Sequence, residues 1–583
     1  MYGWTGKILK INVSTSEIAV ETPDNKLYHK YIGGRGLAGY FLSQDITREW
    51  YDPVTPICFF AGPLTATSAP SSGRLTIMSR SPLTGTIGYS SVGGAFGTEL
   101  KKAGWDGIII TGKSDYLCGI EIVDGNVTIV NSSMLKGYKT IEVSESLSGK
   151  GAYAAIGPAA ENGVLFSSIV VDKHFVAGRN GLGAVLGKKK IKYLTVKGTG
   201  KLLVNDLSDL TKANEDIYRL TSASPILQGE FGISNYGTGA LYDLISSRRM
   251  MPTANFRKTY FESSSSMNAH AYKEKYNPKK FGCRGCHILC KKSTTKGDNI
   301  PEYETMSHFS ALLENEDIAC VVAANKLCNE LGMDSITAAA TIASYSEITG
   351  KKISSLAILE LLEDIGLSRG IGKELGQGSY RYALSKGCMS TSMSVKKQEL
   401  PAYDPRGAYG MALSYALSTR GGCHLSSYPI SYEILRKPVL IDRFTFSAKA
   451  GVIKMSEDLN AIADSLIACK FLFFAVTLEE YSRVLRAVTA VDMSAQDLLN
   501  VGERIYYNER VMNAKLGFSK DEDDLPMRFF EENGTSGNNV EILALDRKEF
   551  LEARRKYYIV RGLNKDGQPL KEKALALGLE WND

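Results

Sequence analysis

The sequence has little excess charge, few cysteines and no long apolar run. Its 583 residues carry a formal net charge of only +6, and no Arg-rich block or basic tail suggests a nucleic-acid-binding protein. The most apolar run, FLFFAV at 471–476, is far too short to cross a bilayer. The first residues, MYGWTGKILKINV, have no apolar stretch followed by a cleavage site, so we expect no signal peptide.

Cysteine is scarce, with ten residues that are mostly scattered along the chain. This distribution is untypical of a secreted, disulfide-stabilised protein, and a tight cysteine cluster in a reducing compartment usually binds metal. We therefore expect a cytoplasmic protein with no membrane or nucleic-acid partner. A chain of this length exceeds one hydrophobic core, so two or three domains are expected.

Residues 1 to about 205 are predicted to be rich in β-strands. KILKINVSTSEIAVE has the pattern strand, polar turn, strand, and GIEIVDGNVTIV predicts a hairpin that closes at Asp124-Gly125. Helical spacing begins at about residue 207: ENEDIACVVAANKLCNELG predicts a helix that ends at Gly332, and SEDLNAIADSLIACKFLFFAV predicts a helix capped by Ser456. The fold class is therefore α+β, with a β-rich N-terminal domain followed by a large multihelical C-terminal region.

Three glycine-rich segments interrupt the β-rich part: GGRGLAG (33–39), SVGGAFG (91–97) and RNGLGAVLG (179–187). The first contains G-x-G-x-x-G, but a dinucleotide site also needs a preceding buried strand and a βαβ unit, and LYHKYI is a poor buried strand. We interpret all three as turns where the backbone approaches a bulky ligand. Exposed backbone N–H groups at such turns favour phosphates.

The densest basic run is GKKKIKY at 187–193. A solvated face is the simpler interpretation of such a run. The alternative is a surface that docks an acidic protein.

The segment FGCRGCHILCKK places three cysteines within eight residues, at Cys283, Cys286 and Cys290. A C-x2-C-x3-C loop can offer three thiolates to an iron–sulfur cluster, with the fourth ligand supplied from elsewhere. A zinc site normally has a second close cysteine pair, which is missing here, so the spacing favours a cluster over zinc. The other alternative is that the three cysteines are unrelated members of the core. Spacing does not choose the fourth ligand among Cys320, Cys328, Cys388, Cys423 and Cys469.

Two short segments resemble each other: NELGMD (329–334) and DSLIAC (464–469). Each follows a helical pattern, with a polar residue in the first place and an acid or thiol in the sixth. Taken alone, the pair is equally compatible with two unrelated helix ends.

Eight motifs occur in one order: GRGLAG, GRLTIMSRSPLTG, GGAFGTELKKAGWDGIIITG, GRNGLGAVLGKKK, CRGCHILC, PEYET, DPRG and RGGCHL. In this order they resemble the aldehyde ferredoxin oxidoreductase family, from residue 1 to about 515. The resemblance implies an oxygen-sensitive enzyme with tungsten or molybdenum held by the dithiolenes of two pterins, a [4Fe–4S] cluster and magnesium. It also implies a β-rich pterin-base domain at 1–205, a helical domain with the cysteine loop at 206–420, and a helical domain with the fourth cluster cysteine at 421–583.

The resemblance assigns the cluster ligands to Cys283, Cys286, Cys290 and Cys469. In the family, two D-x-x-G-L-(C/D) motifs each hold one pterin through its ring nitrogens. By position these are Asn329, Met333 and Asp334 in the first motif, and Asp464, Ala468 and Cys469 in the second. Both motifs depart from the pattern, because Asn329 replaces Asp and Ile467-Ala468 replaces Gly-Leu, so we expect weaker pterin binding.

The resemblance also assigns residues of the glycine-rich segments. Arg74 would lie between the cluster and the pterin phosphates. Magnesium, which prefers hard oxygen ligands, would be bound by two backbone carbonyls and the phosphates. The carbonyls would be those of Ser91 and Asn180, with Gly93, Arg179 and Gly183 lining the same surface.

Four residues are implied in catalysis. Oxidation of an aldehyde to a carboxylate needs water addition and a proton acceptor. By family position, Glu304 in PEYET is the base, and His424 in RGGCHL is the donor that orients the carbonyl oxygen. Tyr303 and Tyr403 would position the substrate. Without the resemblance, Glu304 would be interpreted as a surface acid and His424 as a buried structural histidine.

The implied partners are a small aldehyde and ferredoxin or another iron–sulfur electron carrier, with additional electron-transfer subunits in some assemblies. Basic residues near Cys283 and at 188–192 would guide an acidic carrier. One rival hypothesis is a family branch that reduces an aromatic thioester within a larger complex, with Cys320 or Cys423 on the metal. The other is a non-catalytic iron–sulfur or zinc protein.

Overall fold

A computed structural model describes residues 1–581, and its N-terminal part contains two six-stranded mixed sheets. The first sheet has the spatial order β2 (Glu17–Glu21), β1 (Ile8–Asn12), β6 (Gly107–Thr111), β3 (Ile57–Phe60), β4 (Leu75–Arg80) and β5 (Ile87–Val92). The second has the order β11 (Phe175–Ala177), β10 (Ile169–Val171), β9 (Ala152–Ala155), β12 (Ile191–Lys197), β7 (Cys118–Val123) and β8 (Asn126–Asn131). The pairs β1–β6 and β12–β7 are parallel, and the other pairs are antiparallel.

The inner strands β6, β3 and β4 of the first sheet are buried on both faces, whereas the edge strand β2 is mostly exposed. Side chains alternate along a strand, so Leu9 and Ile11 of β1 join the core shared with the second sheet, whereas Ile8 joins the core shared with the helical region. Burial on both faces explains the nearly continuous apolar sequences of β3 and β6. The predicted hairpin at Asp124-Gly125 is confirmed as β7 and β8.

Helices of the N-terminal part are α1 (Asn25–Tyr31), α2 (Gly34–Ser43), α3 (Phe96–Lys102), α4 (Thr140–Ser146), α5 (Pro158–Glu161) and α6 (Leu182–Lys188). The segment GGRGLAG forms α2, so its interpretation as a ligand-facing turn is wrong. A Cβ on Gly34 would lie 2.2 Å from the carbonyl oxygen of Asp464, and one on Gly36 would lie 2.2 Å from that of Tyr31. These glycines let α2 pack closely against other backbone segments.

The rest of the chain is mainly helical. The helices as far as residue 385 are α7 (Leu207–Ser222), α8 (Pro225–Gln228), α9 (Ile233–Tyr236), α10 (Leu241–Ser247), α11 (Ala269–Tyr276), α12 (Tyr303–Phe309), α13 (Ile318–Leu331), α14 (Ser335–Thr349), α15 (Ser355–Leu367), α16 (Gly372–Leu375) and α17 (Ser379–Ser385). The helical region also contains four short strands, which form two antiparallel pairs: β13 (Lys279–Phe281) with β14 (Lys291–Ser293), and β15 (Ser394–Val395) with β16 (Gln398–Glu399).

The remaining helices are α18 (Tyr409–Leu417), α19 (Ile430–Glu433), α20 (Lys449–Leu466), α21 (Leu478–Thr489), α22 (Ala495–Lys515), α23 (Arg528–Glu531), α24 (Arg547–Arg561) and α25 (Lys571–Ala576). The predicted α+β class is confirmed, and the division of the helical part at residue 420 stays a prediction. Within residues 1–581, no helix has both the length and the apolar character needed to cross a membrane.

The two predicted helix boundaries had different outcomes. Gly332 ends α13 in the left-handed conformation, as predicted. Ser456 does not cap a helix, because α20 begins seven residues earlier at Lys449 and Ser456 lies buried within it. The apolar spacing that continues upstream through Ala450 and Ile453 outweighs the local capping signal.

The basic run at 187–193 is not a solvated face along its whole length. Lys189 is buried, and its ammonium group donates to the carbonyl oxygens of Pro53 (2.8 Å) and Gly112 (3.2 Å). Lys192 is also buried, where it pairs with Glu161. Two of these lysines are therefore structural, and the simple surface interpretation is wrong for them.

Candidate active site

A cavity of about 400 Å³ is lined by residues of both the β-rich and the helical parts. The structure brings most of the predicted site residues to its wall, although they are far apart in the sequence. These residues are Arg74, Ser91, Gly93, Arg179, Cys283, Cys290, Tyr303, Glu304, Asn329, Met333, Asp334, Tyr403, His424, Asp464 and Cys469.

Asn180, Gly183, Ala468 and Cys286 do not line this cavity. Asn180 is fully buried, and Gly183 lies in α6, where a Cβ would come within 2.5 Å of the Ser168 carbonyl oxygen. The predicted place of Gly183 on the cofactor surface is therefore not supported by its position. Ala468 belongs to the hydrophobic core.

The two similar segments NELGMD and DSLIAC have the same geometry. Each ends a helix, and its fourth residue is left-handed: Gly332 after α13 (φ 76°) and Ile467 after α20 (φ 65°). Met333 and Asp334 after the first turn, and Cys469 after the second, line the cavity. The common backbone geometry therefore favours two related motifs over two unrelated helix ends.

Ile467 is strained, because a β-branched residue rarely adopts positive φ, and such a conformation costs about 1–3 kcal/mol. Its fully buried side chain fills the space above Gly34 and Gly62, where an added Cβ would lie 2.7 Å from Ile467 atoms. Sequence reasoning noted the replacement of glycine here but missed that the backbone conformation is kept.

The two motif aspartates differ in what their oxygens contact. Asp464 Oδ2 lies 2.8 Å from Lys470 Nζ and 3.4 Å from Arg35 Nη1, whereas its buried Oδ1 has no hydrogen-bond partner among residues 1–581. Burial opposes ionisation of Asp464, but Lys470 and Arg35 outweigh it and hold its pKa below the usual range. Asp464 thus offers an ionised, unpaired acceptor.

Asp334, by contrast, caps α14. Its Oδ1 accepts from the Ile336 amide at 3.2 Å, and its Oδ2 accepts from Thr337 Oγ1 at 2.8 Å. The same Oδ2 lies 3.2 Å from Arg179 Nε, outside hydrogen-bond geometry. Part of the hydrogen-bonding capacity of Asp334 is therefore already used by the fold.

Cys469 lies beside the cysteine loop. Its amide donates to the carbonyl oxygen of Ser71 (3.2 Å), and the Ser71 hydroxyl is 3.3 Å from Cys286 Sγ. Burial, together with the nearby thiols of Cys286 and Cys283, raises the pKa of Cys469 to about 11 against the opposing charge of Arg74. The fourth thiol that spacing left open is thus close to the other three.

The other candidate thiols have different neighbours. Cys320 Sγ donates to the Ser355 carbonyl (3.4 Å), and Cys388 Sγ donates to that of Lys386 (3.4 Å). Cys423 Sγ accepts from Arg420 Nη2 at 2.8 Å, and Cys328 is buried on α13.

A single zinc ion would need its ligands to converge at about 2.0–2.3 Å from one point. In the part of the chain that the structure describes, no three His, Cys, Asp or Glu side chains do so. Thiolates around an iron–sulfur cluster bind different iron atoms and stand further apart. The three loop thiols together with Cys469 match in number the four thiolates that a [4Fe–4S] cluster takes.

Arg74 bridges the thiols and the cavity wall. Its Nε donates to Ser91 Oγ (3.0 Å) and its Nη2 to the Ser91 carbonyl (2.7 Å). Burial alone would lower the pKa of Arg74, but Cys469 and Cys283 raise it above the usual range. The two carbonyls predicted to bind magnesium each accept one hydrogen bond already, Ser91 from Arg74 and Asn180 from Ser81 Oγ (2.8 Å). Each keeps a second lone pair.

Replacing Gly93 by alanine is expected to displace the Cys283 thiol. A Cβ at position 93 would lie 2.4 Å from Cys283 Sγ and 2.8 Å from the Phe175 ring. We expect less iron in the anaerobically purified variant. Gly125→Ala, whose Cβ would meet nothing within 4 Å, should keep the iron content of the wild type. Equal iron in G93A and wild type would contradict this placement of Cys283.

Glu304 and His424 face each other. Glu304, in the first turn of α12, accepts a hydrogen bond from the Ala402 amide through Oε2 (2.7 Å). Its Oε1 is 3.3 Å from His424 Nε2, but the angle is not that of a hydrogen bond and Oε1 has no other partner in the described chain. Burial raises the pKa of Glu304 to about 8. A carboxyl group in this setting can exchange a proton near neutral pH.

His424 is held neutral. Burial and the charge of Arg179 lower its pKa well below the ordinary value, and Nδ1 has no partner within residues 1–581. The Tyr403 ring lies 5.7 Å from the imidazole, and the Tyr403 hydroxyl is 3.2 Å from that of Tyr428. The ring contacts limit how the imidazole can turn.

Tyr303 has a structural contact that the sequence did not indicate. Its hydroxyl donates to the Ala402 carbonyl at 2.6 Å, so the Ala402 peptide is held by Tyr303 on one side and Glu304 on the other. Sequence reasoning also missed His308, one turn after Glu304, which is buried between the carbonyls of Glu304 (2.9 Å) and Leu400 (3.1 Å). The i, i+4 spacing on one helix was the available signal.

Unpaired polar atoms around the cavity indicate what it could hold. Asp464 Oδ1, Arg179 Nε, Glu304 Oε1 and His424 Nδ1 are buried without hydrogen-bond partners in the described residues. Buried polar groups are rarely left unpaired. Acceptors suit the N–H groups of a pterin ring, and cations suit its phosphate, so these residues fit a pterin cofactor beside a thiol-bound cluster.

Family models match nearly all of the chain. The model described as "Aldehyde ferredoxin oxidoreductase, N-terminal domain" matches residues 8–198, and the one for domains 2 and 3 matches residues 212–579. The chain belongs to the aldehyde ferredoxin oxidoreductase family. The resemblance predicted from eight motifs is thereby confirmed.

Within the aldehyde ferredoxin oxidoreductase family, relatives align over their full length. The chain is 37% identical over 610 residues to the tungsten-containing aldehyde ferredoxin oxidoreductase of Thermococcus kodakarensis, covering 99% of both proteins. It is also 37% identical to the protein of that name from Pyrococcus furiosus, over 609 residues with the same coverage. The WOR-like subunit of an aliphatic sulfonate oxidoreductase from Pyrococcus furiosus is 25% identical, over 99% of this chain and 97% of the relative.

A solved structure has the same fold. It is the active-site complex BamBC of benzoyl coenzyme A reductase with 1,5-dienoyl-CoA, with a TM-score of 0.83 at 22% identity over 99% of this chain and 97% of that chain. At this identity the likeness concerns the fold alone.

Proposed function

We propose that the protein is an aldehyde:ferredoxin oxidoreductase, which oxidises aldehydes to carboxylates with water and transfers the electrons to ferredoxin. The observation that carries the proposal is the facing pair of Glu304 and neutral His424 at one cavity with Asp464 and the cysteine site. Identity of 37% to tungsten enzymes over the full chain supports the same conclusion.

The cofactors we propose are a tungsten or molybdenum bis-pterin, magnesium and a [4Fe–4S] cluster. When bound, the metal centre would accept two electrons and the cluster would pass them on singly. Cys283, Cys286, Cys290 and Cys469 would hold the cluster. Asp464, Asn329 and Asp334 would accept hydrogen bonds from the pterins, and Arg74 and Arg179 would contact the phosphates.

The side chains of this protein supply the proton chemistry. In its ionised form, Glu304 accepts the proton of the attacking water, while the Ala402 amide fixes the position of its other oxygen. Neutral His424 has one N–H, which can donate to the carbonyl oxygen of the aldehyde and polarise it. The rings of Tyr403 and Tyr428 pack against the imidazole and narrow the space available to a substrate.

The positions of Cys423 and Cys320 argue against the rival hypothesis of a cysteine bound to the cavity metal. Cys423 Sγ accepts from Arg420 and from the Leu425 amide (3.2 Å), and Cys320 lies against α15 away from the cavity wall. Neither position favours a thiol on a cavity metal, whereas the Glu304–His424 pair suits aldehyde oxidation. Additional electron-transfer subunits and a cytoplasmic location stay predictions.

Anaerobic purification, elemental analysis and an aldehyde panel test the proposal. We expect about four irons per chain, as a [4Fe–4S] cluster requires, together with tungsten or molybdenum and aldehyde-dependent reduction of a viologen dye. The proposal would be overturned by protein that contains zinc as its only metal. It would also be overturned if protein containing iron and tungsten or molybdenum failed to reduce the dye with every aldehyde of the panel.

A further inference from the structure

The cysteine loop lies within a strongly basic segment of the chain. Residues 273–296 contain eight Lys and Arg residues and one acid, Glu274, so the segment has a formal charge of +7 in a chain whose total is +6. The remainder of the protein is therefore close to neutral. Residues 178–201 carry the same formal charge, with seven Lys and Arg residues and no acid, but only the segment 273–296 contains the cysteine loop.

The acids around this segment are already paired. Glu99 binds Arg284 (3.1 Å), Glu302 binds Lys291 (3.2 Å), and Asp298 lies 3.0 Å from Lys326. Five exposed lysines have no carboxylate oxygen within 4 Å anywhere in residues 1–581: Lys273, Lys275, Lys279, Lys280 and Lys296. We call these five residues the basic face.

Two lysines of this segment face each other across a strand pair, which is an unfavourable arrangement. Lys280 stands directly opposite Lys292 in the β13–β14 pair, and like charges in that position destabilise a sheet. A cluster inside the loop cannot neutralise ammonium groups that extend into solvent.

The basic face is next to the loop through which electrons would leave. β13 and β14 bracket the cysteine loop, and Arg284 and Gly285 at its tip are exposed. Cys283 and Cys286 are themselves partly exposed. The run 187–193 offers less charge to a carrier, because two of its lysines are buried.

We propose that the basic face docks a small acidic iron–sulfur electron carrier over the Cys283–Cys286 tip of the loop. The inference rests on the proposed function and specifies its electron-transfer partner site. Complementary charge steers such encounters, raises their association rates by about 10- to 1,000-fold and weakens steeply with salt.

The test compares two charge reversals of equal size. Lys279→Glu/Lys280→Glu changes the basic face, and Lys351→Glu/Lys352→Glu changes an equally exposed pair on the loop between α14 and α15. With an acidic bacterial-type ferredoxin at low salt, we expect K279E/K280E to lower the second-order rate of ferredoxin reduction about 10-fold or more, within the range that steering supplies. The control pair should stay near wild type, and reduction of a neutral dye should be unchanged in both.

Direct binding of the same ferredoxin, measured without aldehyde, separates this proposal from the proposed function. Loss of affinity in K279E/K280E supports docking even if no aldehyde is turned over. The K279Q/K280Q variant removes the two charges without reversing them, so it should lose less ferredoxin affinity. It keeps the test valid if the charge-reversed variant does not fold. Equal losses in the two reversed pairs, or unchanged ferredoxin binding in K279E/K280E, would overturn the docking face. Binding of duplex DNA that this variant abolishes, with ferredoxin reduction intact, would assign the face to nucleic acid instead.

Discussion

Glu304→Gln is expected to lower aldehyde-dependent dye reduction by about 100- to 10,000-fold, the usual contribution of a positioned general base. Glutamine keeps the acceptor for the Ala402 amide (2.7 Å) but cannot take a proton. At pH 7, below the raised pKa of about 8, most Glu304 is already neutral, so the fold should tolerate the change. Iron, tungsten or molybdenum content and thermal stability should match the wild type.

Glu302→Gln is the matched control, because Glu302 is an exposed acid two residues away that pairs with Lys291. We expect near-normal activity for it. A dye-reduction rate of E304Q within a few-fold of wild type, with full metal content, would remove the base role from Glu304.

The pH profile checks the same carboxyl group. The base form of Glu304 exists above its pKa, which burial raises to about 8, so kcat/KM of the wild type should rise with pH up to that value. A carboxyl with a raised pKa contributes stability that is present at low pH and lost as pH rises through the folded-state pKa. The wild type should therefore lose stability relative to E304Q as pH rises from the ordinary carboxyl pKa of 4.5 to about 8, and the difference should level off above that pH. A flat profile in both measurements would contradict the raised pKa.

Cys469→Ser is expected to remove the cluster and with it nearly all aldehyde turnover. Only Cys469, among the candidate fourth thiols, is connected through Ser71 to the loop that carries Cys286. Loss of one thiolate should lower iron from about four per chain and abolish the visible absorbance of the cluster. Iron analysis, absorbance and ferredoxin reduction measure the effect.

Cys388→Ser is the control, since Cys388 was an equal candidate by spacing but its thiol donates to the Lys386 carbonyl (3.4 Å). It should keep its iron and activity. If C469S retained the cluster while C388S or C423S lost it, the ligand assignment would be wrong and the geometry around Ser71 would need another explanation.

Local patterns were sufficient where the physics is local. Alternation and turn residues predicted the hairpin at Asp124-Gly125, and the glycine signal predicted the end of α13 at Gly332. They failed where a tertiary contact overrides a local preference. Ser456 is a good cap that lies inside a longer helix, and the glycines of α2 serve helix packing rather than a ligand-facing turn.

The sequence by itself determined the order of β-rich and helical parts and the three-thiol loop, because spacing and residue type are properties of short segments. Glu304 and His424 were assigned by the family resemblance of their motifs and not by spacing. Spacing left five candidates for the fourth thiol and the resemblance selected Cys469, which the tertiary structure places beside the loop. Only the tertiary structure decided that Lys189 and Lys192 are buried and that burial raises the pKa of Glu304 to about 8. Those outcomes depend on burial and on partners brought from distant segments, such as Ser71 and Ala402. No local pattern encodes such proximity, since it arises only when the two sheets and the helices close around one cavity.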